Sequence, residues 1–163
     1  MVSCILALGS NLGERAGTLQ AAVTALAATA GITVERVSDT AVTKPVGGPA
    51  GQPDFLNLVL RVTTTLAPLE LLAACQEIEA AHHRTREVRW GPRTLDIDVI
   101  TYGDETSEDP VLTLPHPRAA ERGFVLLPWS WMEPEAELAG KPVAELAAAA
   151  SDTPGIKRAE AGA

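Results

Sequence analysis

A chain of 163 residues with a formal net charge of −8 is long enough for one domain, and it is too acidic for broad neutralisation of nucleic-acid phosphates. No run approaches the roughly 20 apolar residues of a membrane span, and residues 1–8 lack the basic leader of a signal peptide. Cys4 and Cys75 belong to no C-x-x-C pattern, so we expect reduced thiols in a cytoplasmic protein rather than a zinc site.

The first third of the chain predicts a strand, a turn, a helix and a second strand. Residues 2–8 are apolar, and residues 9–13 are typical of a strand-to-helix turn capped by Asn11. No lysine follows this turn, so we assign it a structural role rather than phosphate binding. Apolar residues at helical spacing extend to about Gly31, and β-branched residues over 32–42 predict the second strand.

A loop rich in proline and glycine precedes the third predicted strand. Residues 44–53 contain three prolines and three glycines, which excludes a helix or strand interior and favours a functional lid over a tolerated insertion. Alternation over residues 55–62 predicts a strand with leucines on its core face and with Phe55 and Asn57 on the other. An aromatic ring beside a carboxamide suits a flat heterocycle.

A second predicted helix leads into a segment rich in arginine. The helix starts at Pro68 and runs to about His82, with Gln76 and Glu79 near its end. Six of the thirteen basic residues, all arginines, then fall within residues 84–122. In an acidic protein this concentration predicts a local anion site, because the planar guanidinium suits phosphate oxygens.

The strand that follows carries two acids. Leu95, Ile97 and Val99 alternate with Asp96 and Asp98, so a period of two places both carboxylates on the face opposite the aliphatic side chains. Carboxylates about 7 Å apart repel unless a cation compensates, and Mg²⁺ prefers one or two carboxylates with phosphates and water. Two alternatives stay open here: the acids are simply solvated, or they pair with the nearby arginines.

The remaining elements complete a ferredoxin-like α+β sandwich. A turn at residues 103–105 follows the acidic strand, and we expect core packing for Leu126, Leu127, Trp129 and Trp131. The order is β-α-β-β-α-β plus a C-terminal extension. We expect residues 1–163 to form a single domain in which residues 151–163 fray.

Several separate motifs closely resemble those of the 6-hydroxymethyl-7,8-dihydropterin pyrophosphokinases. They are Gly9-Ser10-Asn11, residues 52–57, residues 89–98, residues 114–117 and Arg122-Gly123-Phe124, and the resemblance covers residues 5 to about 133. It implies a ferredoxin-like fold with two Mg²⁺ ions. It also implies transfer of pyrophosphate from ATP to the hydroxymethyl group of a reduced pterin in folate synthesis, with release of AMP.

The resemblance also implies roles for individual residues. Both metal ions would bind Asp96 and Asp98. The residues around ATP would be Gln76, Glu79, Arg84, Arg86, Trp90, Arg93, Val99, His116 and Arg122. The pterin would contact Thr43, Pro45, Val46, Phe55, Asn57, Trp90 and Phe124. The catalytic candidates are Arg84, Arg86, Arg93, Asp98 and His116.

The chain departs from the family pattern at a few positions. Phe55 stands where many members have tyrosine, and Val46 stands where leucine is common. The segment between Arg84 and Trp90 is one residue shorter than in some relatives, so the resemblance does not assign each loop arginine to a particular phosphate. Val111 occupies a position that can be arginine, which weakens a nucleotide contact there.

Two other functions compete with this assignment. One is another Mg²⁺-dependent phosphoryl or nucleotidyl transferase that uses Asp96 and Asp98, and the other is a non-catalytic ferredoxin-like module that binds a ligand. RNA binding is disfavoured because the strands lack interleaved aromatics and the body is acidic. We expect a cytoplasmic monomer whose partners are ATP and a reduced pterin, with no nucleic acid and no membrane.

Overall fold

The computed structural model describes residues 1–10, 15–43, 55–84 and 95–159, without the side chains of residues 15–16 and 82–84. The strands are β1 (Val2–Ser10), β2 (Ile32–Val37), β3 (Thr40–Thr43), β4 (Phe55–Thr64), β5 (Asp96–Tyr102), β6 (Ser107–Asp109), β7 (Leu112–Leu114), β8 (Glu137–Leu138), β9 (Lys141–Pro142) and β10 (Lys157–Ala159). The helices are α1 (Arg15–Ala27), α2 (Pro68–Arg84), α3 (Gly123–Met132) and α4 (Val143–Ala149), with 3₁₀ turns at Ala119–Glu121 and Thr153–Gly155. Across the described ranges, no helix is long and apolar enough to cross a membrane.

Six strands form one antiparallel sheet. Its order is β10-β3-β4-β1-β5, and β2 also pairs with β4. The central pair, β1 and β4, is in register from Val2 opposite Thr64 to Ser10 opposite Leu56. With α1 and α2, this sheet makes the predicted ferredoxin-like arrangement, and α3, α4 and β10 belong to the C-terminal extension.

The second predicted strand is divided in two. β2 and β3 lie on either side of Ser38, and both pair with β4. The hydroxyl of Ser38 accepts a hydrogen bond from the Val59 N–H (2.8 Å), and the Ser38 N–H donates to the Val59 carbonyl (2.9 Å). The chain therefore bends at Ser38 while it stays attached to β4, which explains the imperfect alternation of the sequence here.

Apolar side chains are buried on both faces of the sheet. Leu6 and Leu60 lie in the core cluster that includes residues of α1 and α2. Ile5, Val59 and Ile100 lie in a second cluster with residues of α3 and α4. The face of β5 that carries the two acids is thus apolar at its far end, because Ile100 lies under the second helical layer.

The C-terminal segment is attached to the body of the protein. β10 pairs with β3, and the Arg158 guanidinium lies 4.8 Å from the centre of the Trp131 ring and 2.7 Å from the Asp39 carboxylate. The expectation of a frayed tail is therefore wrong for Lys157–Ala159. Leu126 and Trp129 are buried as predicted, whereas Leu127 and Trp131 are only partly buried.

Candidate active site

A cavity of about 730 Å³ lies where β1, β4 and β5 meet the first turn of α3. It brings together residues that the sequence analysis assigned to both substrates and to the metal. These are Thr43, Phe55, Asn57, Asp96, Asp98, Arg122 and Phe124. The sequence analysis did not assign Gly9 and three residues of the C-terminal segment to a substrate or metal, although they also line the cavity: Ser151, Asp152 and Gly155.

Asn57 and Gly9 face each other across the central strand pair. They are register partners, and Asn57 is 9% exposed. A methyl group built on Gly9 would lie 2.5 Å from Asn57 Oδ1, which is closer than side chains approach. Gly9 therefore leaves the space in which the Asn57 carboxamide lies. Phe55 and Phe124 add aromatic surface to the same cavity.

The two acids lie on one face of β5, as predicted. Asp96 is exposed and lies opposite Gly9, whereas Asp98 is partly buried and lies opposite Ala7. Arg122 Nη1 is 4.0 Å from Asp98 Oδ2, at the limit of an ion pair, and its guanidinium carbon is 5.6 Å from the centre of the Phe124 ring. Arg122 thus lies between the carboxylate of Asp98 and the ring of Phe124.

The donor set of the two carboxylates suits a hard divalent cation. In the described part of the chain, no cluster of three or more histidine, cysteine or acidic residues is placed to hold a metal. Two carboxylates without further protein ligands match Mg²⁺, which takes one or two protein carboxylates and completes its coordination shell with phosphate and water. Soft metals that require thiolate or several imidazole ligands do not match this set.

His116 is fixed beside the edge strand as a neutral hydrogen-bond donor. The main-chain N–H of His116 donates to the Ile100 carbonyl (2.8 Å), and the ring Nδ1 accepts a hydrogen bond from the main-chain N–H of Arg118 (3.2 Å). Burial lowers the pKa of His116 and outweighs the opposing charge of Asp98, and Arg122 lowers it further. An imidazole that accepts at Nδ1 and stays neutral at pH 7 carries its proton on Nε2.

Four of the described residues predicted to contact ATP do not line the cavity: His116, which lies beside β5, and three others. Glu79 Oε2 accepts a bond from the Ile97 N–H (2.9 Å), and Gln76 is exposed on the same helix, α2. Val99 is 3% exposed and packs in the core cluster that faces α1 and α2. The Val99 side chain does not line the cavity, so the predicted contact with ATP could be made only by its main chain.

Other predicted residues lie outside the part of the chain that can be assessed. Arg84 ends α2, but its side chain is not described. The predicted helix cap at Asn11 and the lid at residues 44–53 also lie outside the described residues. The same holds for Pro45, Val46, Arg86, Trp90 and Arg93.

Known proteins resemble this chain in sequence. The family model of the 7,8-dihydro-6-hydroxymethylpterin-pyrophosphokinases (HPPK) matches residues 5–134. A 2-amino-4-hydroxy-6-hydroxymethyldihydropteridine pyrophosphokinase of Bacillus subtilis is 43% identical over 152 residues, which cover 93% of this chain and 87% of the relative. The protein of the same name from Methylorubrum extorquens is 44% identical over 160 residues, or 98% and 100% of the two chains.

Solved structures support the fold. A crystal structure of Plasmodium falciparum HPPK-DHPS with pterin and p-hydroxybenzoate superposes with a TM-score of 0.72 at 15% identity, covering 96% of this chain and 47% of that one. A second structure of that protein, with pteroate, gives a TM-score of 0.68 at 15% identity and covers 90% of this chain and 42% of that one. The chain thus spans less than half of these solved chains, and at such identity the likeness concerns the fold alone.

Proposed function

Since the chain belongs to the 7,8-dihydro-6-hydroxymethylpterin-pyrophosphokinase family, we propose that the cavity at the sheet end is where it performs the family's reaction. The enzyme transfers pyrophosphate from ATP to the hydroxymethyl group of 6-hydroxymethyl-7,8-dihydropterin in folate biosynthesis, and AMP leaves. One observation carries the assignment of the site. The pair of acids lines the same cavity as Asn57, Phe55 and Phe124, which supports a phosphate-binding end that adjoins an end for a flat heterocycle.

The pterin end selects a flat ring with polar edges. The Asn57 carboxamide offers one acceptor and two donors in a largely buried place, which suits the amide-like edge of a pterin. Phe55 and Phe124 supply apolar faces for the ring. Thr43 lines the same end, and Pro45, Val46 and Trp90 complete the proposed set from the resemblance.

The phosphate end neutralises and orients charge. Asp96 and Asp98 would hold the Mg²⁺ ions, which when bound screen the phosphates and lower the pKa of the attacking hydroxyl. Arg122 places a fixed positive charge between Asp98 and Phe124, so it can bind phosphate oxygens close to the pterin. His116 can donate its Nε2–H to a phosphate or to the departing oxygen without a change of protonation state.

The residues outside the cavity keep their proposed roles with ATP. Gln76 and Glu79 lie on the other side of β5 from the two acids, so the nucleotide would pass around this edge strand. Arg84, Arg86 and Arg93 are proposed to bind the phosphates from the segment that joins α2 to β5. Holding both substrates in line is the main task, because positioning and charge stabilisation supply most of the catalysis in phosphoryl transfer.

We also propose that the chain acts as a single domain and a monomer in the cytoplasm. The two core clusters lie on the two faces of one sheet, as expected for a single domain. Cys4 and Cys75 are free, and burial raises the pKa of these thiols to about 11 and about 12, as for unreactive core cysteines.

The isosteric substitutions Asp96→Asn and Asp98→Asn test the proposed phosphate end. Each removes a carboxylate that faces the cavity rather than the core, so turnover should fall at least about 1000-fold while the protein stays folded. Steady-state kinetics and circular dichroism measure the two properties. Asp104→Asn, at an exposed turn, is the control and should keep wild-type activity. Full activity in either site variant would refute the metal assignment.

A further inference from the structure

The segment that follows α4 forms one wall of the cavity. Ser151, Asp152 and Gly155 line it, and they lie beyond residue 134, where the match to the family model ends. The contacts of Asp152 explain how this segment acts on the site.

Asp152 caps the first turn of α3 from a distant part of the chain. Its Oδ1 accepts a hydrogen bond from the Gly123 N–H (2.8 Å), and its Oδ2 accepts one from the Phe124 N–H (3.3 Å). The first N–H groups of a helix have no partner within the helix, and Arg122, the residue before α3, provides no side-chain cap. Asp152 therefore fixes the main chain of Phe124.

The approach of the segment depends on glycine at the start of α3. A methyl group built on Gly123 would lie 2.5 Å from Thr153 Oγ1 and 2.9 Å from Asp152 Oδ1. The absence of this methyl group lets the carboxylate reach both amides. Each oxygen of Asp152 thus accepts one main-chain hydrogen bond from the first turn of the helix.

The segment is also attached to α4 and to the sheet. The Thr153 hydroxyl donates to the Ala147 carbonyl, and β10 pairs with β3, which ends at the cavity residue Thr43. Arg158 binds Asp39, which lies just before β3. The C-terminal segment thus connects α3 and α4 to the strand that ends at Thr43.

We propose that Asp152 is a positioning residue for the pterin, acting through Phe124. It fixes the first turn of α3 so that the Phe124 ring stays at the distance that a bound pterin requires. This proposal rests on the proposed function, because it takes Phe124 as a pterin contact.

A double-mutant cycle on pterin affinity tests the proposal. Fluorescence titration with 6-hydroxymethylpterin would compare the wild type, Asp152→Ala, Phe124→Ala and the double variant. Asp152→Ala should weaken binding about 5-fold or more, the effect of losing a helix cap. The double variant should bind within about 2-fold of Phe124→Ala, because the ring that Asp152 positions is then absent.

Two further variants separate positioning from loss of structure. Asp152→Ser retains a capping acceptor and should recover part of the affinity, and Asp104→Ala should bind as the wild type does. Thermal unfolding checks that each variant is folded. If Asp152→Ala does not fold, Asp152→Asn replaces it in the double-mutant cycle. The asparagine side chain has the same shape as aspartate, but its NH₂ group would place a donor against the N–H groups of the helix.

The outcomes distinguish this proposal from the function on which it rests. Wild-type affinity in Asp152→Ala, or losses that multiply in the double variant, would overturn the positioning role. Unchanged affinity in Phe124→Ala would instead overturn the assignment of the pterin end, and the premise of the proposal with it.

Discussion

At the scale of single residues, the site depends on glycine at position 9, because a side chain there would meet the Asn57 carboxamide. The carboxamide of Asn57 occupies the space where a β-carbon on Gly9 would lie. A displaced carboxamide would lose its alignment with the proposed position of the pterin's polar edge, although the strand pairing of Gly9 would be kept.

Gly9→Ala should therefore weaken pterin binding with little effect on stability. The added methyl pushes on the far end of a flexible side chain, so we expect a loss of about 1–3 kcal/mol in pterin affinity, as for Asn57→Ala, or roughly 5-fold to 150-fold. Isothermal titration with the pterin measures it. In the Asn57→Ala background the same change should have no further effect. A variant that binds as tightly as the wild type would show that the Asn57 carboxamide is not a pterin ligand.

Residues with reactive or polar side chains on a regular strand are easier to predict from sequence than residues whose role depends on a tertiary contact. Asp96, Asp98 and Asn57 fall on the cavity side because strand alternation fixes their faces. Gly9 and Asp152 could not be assigned in this way. The importance of Gly9 depends on what lies opposite, and Asp152 caps a helix that begins 29 residues earlier in the chain.

At the scale of elements, helix α3 is fixed at both ends. Asp152 holds its N-terminus, and Glu133 follows its C-terminus with hydrogen bonds from Arg61 Nη2 (2.6 Å) and from the Trp129 indole N–H (3.0 Å). Arg61 belongs to β4 and also donates to the Ser3 hydroxyl of β1. The helix that carries Phe124 is thereby attached to the two central strands.

Removing the charge of Glu133 should destabilise the protein in a pH-dependent way. Burial alone would raise the pKa of this carboxyl, but the hydrogen bonds from Arg61 and Trp129 together with the charges of Arg61 and Arg36 outweigh burial and hold the pKa below the ordinary value of 4.5. Its contribution is thus complete above the unfolded pKa and is lost as the pH falls through the folded pKa. At pH 7, Glu133→Gln should lower the free energy of unfolding by about 2 kcal/mol.

Urea unfolding at pH 7 and at about pH 3 measures this effect. The difference between the wild type and Glu133→Gln should narrow at the lower pH, because the carboxyl of the unfolded wild type is then protonated, which stabilises the unfolded state relative to the folded one. Glu135→Gln, two residues further along and exposed, is the matched control and should change stability by less than about 0.5 kcal/mol. The same difference at both pH values would contradict the role assigned to the ion pair.

The elements that the sequence predicts incorrectly are those that tertiary contacts decide. The break between β2 and β3 depends on hydrogen bonds between Ser38 and Val59, which lie 21 residues apart. β10 forms although the tail has the composition of a frayed segment, because its pairing with β3 and the contact between Arg158 and Trp131 hold it. The partners that decide these elements are distant in sequence, so local composition cannot predict them.

At the scale of the whole molecule, the cavity lies at the strand ends beside the second helical layer. The sheet is covered on one face by α1 and α2 and on the other by α3 and α4, and Gly9, Asn57 and Asp96 line the cavity at the strand ends. The β-α-β-β-α-β order could be predicted because periodicity marks each element. The second layer could not, since its position depends on contacts such as those of Glu133 and Asp152.

The products of the reaction test the central claim most directly. The proposed function requires attack on the β-phosphorus of ATP, with the paired acids and the arginines proposed to hold the triphosphate beside the hydroxymethyl group. Purified protein with Mg²⁺, ATP and 6-hydroxymethyl-7,8-dihydropterin should therefore release AMP and a pterin diphosphate in equal amounts, as separated by anion-exchange chromatography. A simple kinase attacks the γ-phosphorus and releases ADP. ADP in place of AMP, or no nucleotide turnover when the pterin is added, would contradict the account.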